Sequence, residues 1–181
     1  MTSILIRFIS ALYLIMGAII ALPSIAMAMG DDDKIAITIT NNMEDELLAP
    51  IVIAPVRADD EIFVGDYVSS AAEHQILTGE PTKTVEEIGR KAVVGHGTDG
   101  PPGVLLAPGK SVTIMVKARK DSALRILAMV APTRYKDHFV TGLINPDAGI
   151  PIMLDRLDIG HDEGRKSTEW LRPSNVVVTV K

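Results

Sequence analysis

The amino-acid sequence predicts a mainly β, antiparallel sandwich with a short helical insertion. Three observations predict this fold class. Apolar and polar residues alternate in several short segments, and turn-forming residues separate these segments at roughly ten-residue spacing. Helical spacing of apolar residues is confined to the middle of the chain. Together these patterns indicate stacked sheets with a helical insertion packed against the sandwich edge.

The N-terminus predicts a secretory signal peptide over residues 1–28. Arg7 precedes a long apolar run, 8–22, and Ala26-Met27-Ala28 provides small side chains at a cleavage site. We expect cleavage after Ala28. The alternative is a retained membrane anchor, because 8–29 is about long enough to span a bilayer.

The remaining residues, 29–181, suit one domain of ordinary size. The chain has no cysteine, which excludes a disulfide framework, a thiolate zinc site and a cysteine nucleophile. For an exported protein, this composition favours a bacterial periplasmic or secreted location. A net charge of −5, with 4% aromatic residues, argues against nucleic acid as a partner.

The segment 35–64 contains the first predicted strands. Isoleucines at 35, 37 and 39 alternate with alanine and threonine, which predicts a half-buried strand before a turn at 41–42. The apolar stretch 47–55 is bounded by Pro50 and Pro55, so we expect an edge strand there. A further short strand is predicted at 61–64.

The middle of the chain changes to helical periodicity. Apolar residues in 66–77 and again in 84–93 recur at helical spacing, and Pro81 separates the two segments. These segments predict a helical insertion over about residues 66–93. Four glycines and two prolines then indicate a loop at 95–103.

Strand patterns return in the second half. Pro108-Gly109 predicts a hairpin turn, and the clearest alternation follows it, with Val112, Ile114 and Val116 on one face. The predicted strands are 111–118, 123–130, 139–143, 150–154 and 175–180.

Catalytic motifs are weak. The segment 103–111, G-V-L-L-A-P-G-K-S, has the wrong glycine spacing for a phosphate-binding loop and precedes a strand instead of a helix. There is no G-x-S-x-G elbow and no H-E-x-x-H sequence. The histidines are scattered, at positions 74, 96, 138 and 161. We therefore expect a protein that is not an enzyme.

Carboxylates near the C-terminal half suggest a metal site. Asp137 precedes a predicted strand, and Asp158 and Asp162 lie in a turn-rich segment. If loops at one end of a sandwich bring these groups together, their repulsion favours a bound cation, and oxygen ligands in irregular loops suit calcium. The alternative is that these aspartates only form turns.

The order of motifs resembles the spondin domain family. The similar segments are I-T-I-T-N-N at 37–42, A-P-G-K-S-V-T-I at 107–114, L-R-I-L-A-M-V-A-P-T at 124–133, Asp137 before F-V at 139–140, and D-I-G-H-D at 158–162. They span about 37–164, which is most of the predicted domain.

This resemblance implies a C2-like β-sandwich that binds calcium through Asp137, Asp158 and Asp162. We expect the exported domain to attach through the ion to an unidentified protein or cell-surface partner. Two alternatives stay open. One is a metal-free structural or interaction domain. The other is a periplasmic hydrolase with a metal-bound water near His138 and His161, which would also permit zinc or copper.

Overall fold

The computed structural model describes residues 33–100, 103–131 and 137–181. The predicted signal peptide, its alternative as a retained anchor and the Pro-Thr pair at 132–133 lie outside these residues. Within the described ranges, no helix combines the length and the apolar character needed to cross a bilayer.

Strands dominate the described chain. They are β1 Asp33–Asn41, β2 Leu47–Leu48, β3 Ile51–Pro55, β4 Phe63–Val64, β5 Tyr67–Val68, β6 Val93–Gly95, β7 Ser111–Ala118, β8 Leu124–Ala131, β9 His138–Ile144, β10 Ile152–Asp158 and β11 Glu169–Val180. The helices are α1 Asp59–Ile62, α2 Ser70–Thr78 and α3 Thr82–Ile88, with short 3-10 helices η1 Val56–Ala58 and η2 Pro146–Ala148.

One antiparallel sheet contains nine of the described strands, in the order β6-β3-β8-β9-β10-β11-β1-β7, with β2 paired to β8. The sheet bends so that its two halves face each other across a shared core, and the outermost strands β6 and β7 come into contact. A side chain at Gly95 of β6 would collide with Ile114 of β7, so glycine permits this close approach. The fold is mainly β and sandwich-like, as the sequence predicts.

The inner core follows from the alternating pattern. In β1, Ile35, Ile37 and Ile39 are buried while the alanine and threonines that alternate with them are partly exposed. Ile37 lies opposite Ile114 in the β1–β7 register, so the buried face continues across neighbouring strands. These residues pack with inward-facing residues of β3, β8, β10 and β11.

A second core lies between the sheet and the helical insertion. Leu127 and Phe139 project from the other face of β8 and β9 and pack with Ala72 and Ile76 of α2. For this reason β8 is buried on both faces, whereas β7 alternates strictly. The insertion predicted over 66–93 is confirmed, but its helices do not lie against the sandwich edge. They cover one outer face over β8 and β9, because those strands carry apolar residues on both faces.

The apolar stretch at 47–55 is not an edge strand. β3 lies between β6 and β8, one position inside the sheet. The prolines are compatible with this position because Pro50 precedes β3 and Pro55 is its last residue. Neither proline removes an N–H group from the middle of the ladder.

The C-terminal strands differ in extent from the prediction. β10 runs to Asp158, and β11 begins at Glu169, several residues before the predicted strand. Register shifts interrupt the pairing of β10 with β11, and Asn175 adopts a positive φ of 61° inside β11. Such irregularities blur the period-two pattern from which strand limits are predicted.

Candidate functional site

The candidate site lies at one end of the sandwich, where β9 begins and β10 ends. Asp137 immediately precedes β9, whereas His138 and Asp158 face each other as cross-strand partners. The three residues are only 2%, 8% and 7% exposed, respectively. One ligand atom from each lies within 4.8 Å of the others, so the fold brings two of the predicted aspartates together.

Backbone N–H groups of the turn after β10 bind both carboxylates. The N–H of Gly160 donates to Asp158 Oδ1 over 2.5 Å, and the N–H of Asp162 donates to Asp137 Oδ2 over 3.0 Å. The N–H of Ile159 also donates to the carbonyl oxygen of Asp137 over 3.3 Å. The turn 159–162 is therefore built around the two aspartates and holds one oxygen of each.

Asp162 contributes to this arrangement through its main chain. Its carboxylate is exposed, and it is not part of the group of three ligand atoms that the described residues bring together. The sequence motif thus marks the correct turn, while the contact that the structure describes comes from a peptide N–H that any residue except proline can provide.

The two carboxylates share a region of strong negative charge. Burial raises the pKa of Asp158, and the charges of Asp137 and Glu163 act in the same direction, while the N–H of Gly160 opposes the shift. Arg165 Nη2 lies 3.5 Å from Asp158 Oδ2 and supplies partial compensation. This environment favours either a proton or a cation at the site.

His138 lies in the site as a neutral ring. The guanidinium of Arg156 donates to Nδ1 of His138 from Nε at 3.1 Å and from Nη2 at 2.8 Å. Because a guanidinium has no acceptor, Nδ1 must accept, and the proton of the neutral imidazole is on Nε2. Burial and the charge of Arg156 lower the pKa of His138, which stabilises this form. A ring in this state has no second lone pair for a metal ion.

A buried ion pair supports His138 from behind. Arg156 is 3% exposed and binds both carboxylate oxygens of Glu46, with Nη2 2.7 Å from Oε1. The Arg156 contact lowers the pKa of Glu46. Glu46 is held in the loop after β1 by Asn41, whose Nδ2 donates to the Glu46 carbonyl oxygen over 2.8 Å.

The helical insertion contributes a neighbouring polar cluster. Glu73 of α2 accepts a hydrogen bond from the Tyr67 hydroxyl over 2.8 Å and lies 3.4 Å from His161 Nδ1. Burial, the bond to Glu73 and the charge of Asp137 raise the pKa of Tyr67. His161 thus pairs with Glu73 and does not belong to the described group around Asp137.

Sequence reasoning missed the Glu46–Arg156 pair. A signal for Arg156 exists, because Leu154, Arg156 and Asp158 are alternate residues of one strand and all three are buried. A cation on the inward face of a strand indicates a buried partner. No local pattern identifies that partner as Glu46, which is 110 residues away along the chain.

The arrangement is suited to a hard cation. One oxygen of Asp137 and one of Asp158 accept hydrogen bonds from peptide N–H groups. The second oxygen of Asp158 faces Arg165 Nη2 at 3.5 Å, so an ion bound there would compete with that exposed guanidinium. Oxygen donors at a turn suit calcium, which completes its coordination with carbonyl oxygens and water. The donor set therefore fits calcium better than it fits a metal that requires imidazole ligands.

The fold and the site define a mainly β, sandwich-like protein with a buried aspartate pair and a histidine at one end. Compared with known proteins, the chain matches no protein-family model and no curated protein sequence. Membership of the spondin family therefore stays a prediction.

Proposed function

We propose that this protein is an exported, non-catalytic β-sandwich module that binds calcium at Asp137 and Asp158 and attaches through that end to a protein or cell-surface partner. The observation that carries the proposal is the burial of two aspartates whose carboxylates approach each other within 4.8 Å. Two like charges at this separation repel strongly in a partly desolvated site, and a divalent cation removes that repulsion.

Calcium would act as a structural ion at this site. Asp137 lies before β9, and Asp158 precedes the turn 159–162, so an ion bound by both would link the start of one strand to the loop after another. The ordered end would then present a fixed surface to the partner. The affinity expected of such extracellular modules is in the range of about 10⁻⁴ to 10⁻³ M.

Export is the part of the proposal that rests on residues 1–28. A basic residue, a long apolar run and Ala26-Met27-Ala28 are the features of a cleavable signal peptide. Intact mass measurement of the protein recovered from the cell envelope would test it. A mature N-terminus at Met29 is expected, and an uncleaved chain in the membrane fraction would indicate an anchor instead.

Thermal unfolding with and without calcium tests the ion site. For the wild type, we expect calcium to raise the melting temperature, by the equivalent of about 2.7 kcal/mol at a concentration one hundred times Kd. Asp158→Asn and Asp137→Asn should abolish this rise. Asp147→Asn is the matched control, because Asp147 is an exposed aspartate in the 3-10 helix η2. An unchanged melting temperature in the wild type would refute the calcium site.

The same series decides the role of Asp162. If its carboxylate binds the ion, as the resemblance implies, Asp162→Asn should weaken calcium binding as strongly as Asp158→Asn. If only its peptide N–H matters, Asp162→Asn should retain most of the calcium response, since the substitution leaves the main chain intact.

A metal-free interaction domain is the second candidate, and one observation favours it. Arg165 already lies 3.5 Å from Asp158, and backbone N–H groups bind both aspartates. If Arg165 is the permanent counter-charge, calcium should leave the melting temperature unchanged and Arg165→Gln should lower it. If calcium is the natural counter-charge, Arg165→Gln should instead strengthen calcium binding.

A further inference from the structure

A cleft lined by cations lies at the end of the sandwich opposite to the aspartates. We call it the basic cleft and define it by Arg57, Lys91, Lys117 and Arg119. Arg57 follows β3, Lys91 follows α3, and Lys117 and Arg119 lie at and just beyond the end of β7. The four side chains come from three separate parts of the chain, so only the tertiary structure assembles them.

The basic cleft consists of two adjoining cavities. The larger, of about 270 Å³, lies between η1 and the end of α3, and the smaller, of about 100 Å³, lies between η1 and the end of β7. Both are lined by Pro55, Arg57 and Lys91. Arg57 and Lys91 therefore stand at the junction, where a single small ligand can contact both.

Most of the positive charge in the basic cleft is not neutralised. In the part of the chain that the structure describes, no carboxylate forms an ion pair with Arg57, Lys91 or Lys117. Arg119 pairs with Asp121, an exposed neighbour two residues away. The acidic residue that lines the larger cavity is Glu61.

A cross-strand pair of lysines adds to this positive charge. Lys34 of β1 is the direct cross-strand partner of Lys117 of β7. Like charges directly opposite each other in an antiparallel pair destabilise the sheet. A bound anion would offset that repulsion. The cations gather at this cleft although the whole chain has a net charge of −5.

We propose that the basic cleft is a binding site for a phosphate group. Arg57 can donate two parallel hydrogen bonds to phosphate oxygens, and Lys91 and Lys117 can add point charges beside it. Ser122 also lines the smaller cavity, and its side chain carries a hydroxyl donor. The phosphate could be a free ion or the headgroup of a phosphatidate lipid, since both present the same group.

Titration calorimetry with inorganic phosphate, at low salt and with a chelator present, tests the site separately from calcium. The wild-type full chain should bind phosphate, and Arg57→Gln/Lys91→Gln should weaken binding about tenfold or more, because two charge-assisted contacts are lost. The control is Lys110→Gln/Lys166→Gln, which removes the same charge from exposed positions outside the cleft. The control should bind like the wild type.

A second arm distinguishes the sources of the phosphate. Sedimentation with phosphatidate vesicles, compared with phosphatidylcholine vesicles, reports headgroup binding. Binding to phosphatidate vesicles without binding to inorganic phosphate assigns the site to a lipid headgroup, provided that Arg57→Gln/Lys91→Gln abolishes it. Binding to neither probe, or equal binding by the cleft variant and the control variant, overturns the proposal.

Discussion

Arg156 is a charged residue on the inward face of a strand, and its position is stable because its guanidinium makes four hydrogen bonds to two side chains. Glu46 takes two of its bonds, and His138 takes the others. The side chain of Glu46 is 20% exposed, so the pair lies at the border of the core. Desolvating such a pair is costly, yet breaking it leaves one buried charge without compensation.

Removing the cation alone should therefore be strongly destabilising. We expect Arg156→Met to lower the free energy of unfolding by about 3 kcal/mol, measured by urea denaturation. The double variant Glu46→Gln/Arg156→Met should lose less than the sum of the single variants, because no unpaired charge remains. Arg119→Met is the control, since it breaks an exposed pair with Asp121. Equal losses for Arg156→Met and Arg119→Met would contradict this account.

His138 should make stability depend on pH. Its pKa is lowered from 6.5 in the folded protein, so the unfolded chain binds the proton more tightly. The stabilising contribution is complete above about pH 6.5 and decreases as the pH falls from there towards the lowered pKa. The raised pKa of Asp158 has the opposite effect. Its contribution to stability is complete at low pH and decreases as the pH rises from about 3.8, its ordinary pKa, towards the raised value.

Melting temperatures between about pH 5 and pH 8 check this prediction. The wild type should lose stability on the acid side of this range, and His138→Asn should flatten that part of the curve. His96→Gln serves as the control, because His96 is an exposed loop histidine. A wild-type slope that survives in His138→Asn would show that another group causes it.

At the scale of elements, the loop between β10 and β11 organises the acidic end. The N–H of Arg165 donates to the carbonyl oxygen of Gly160 over 2.7 Å, which closes the turn, and Thr168 binds the carbonyl oxygen of Asp66 in the β4–β5 hairpin. Gly160 has a φ of 67°, and a side chain there would approach the Cβ of Arg165 to 2.8 Å. The turn requires glycine for two separate reasons, conformation and space.

Comparing Gly160 with Gly164 separates the effect of backbone conformation from the effect of crowding. Gly164 has a similar φ of 71°, but a Cβ added there meets nothing within 4 Å. We expect Gly164→Ala to cost about 1 kcal/mol of unfolding free energy through backbone strain alone. Gly160→Ala should cost about 1 to 3 kcal/mol more, because Arg165 must move, and it should also weaken calcium binding. Chemical denaturation of both variants measures the difference, and equal losses would argue against crowding.

At the scale of the whole molecule, the curvature of the sheet decides where both candidate sites lie. β1 runs from the end that carries Lys34 to the end that carries Asn41, and the neighbouring strands run parallel or opposite to it. One end of the sandwich collects Asp137, Asp158 and the turn 159–162, and the other collects the basic cleft. The contact of β6 with β7 completes the curved sheet and brings Lys91 within reach of Lys117.

Because Gly95 lies so close to Ile114, substitutions at the two positions should be energetically coupled. Gly95→Ala should lower the free energy of unfolding by about 1 to 3 kcal/mol through overpacking. Ile114→Ala alone should cost about 2 to 5 kcal/mol through the cavity that it leaves. The double variant should lose clearly less than the sum, since the new methyl group occupies space that the isoleucine vacates. Strict additivity in a denaturation series would show that the two strands do not press on each other.

The sequence by itself determined the features that depend on neighbouring residues. Alternating isoleucines predict β1, helical spacing predicts the insertion, and the sequence places Asp137 just before a strand and Asp158 in a turn-rich segment. Only the tertiary structure decided what depends on distant residues: the interior position of β3, the pairing of Glu46 with Arg156, the neutral His138 and the basic cleft. The physical reason is that periodicity is a local property of the chain, whereas ion pairs and clefts form between segments that the curved sheet brings together.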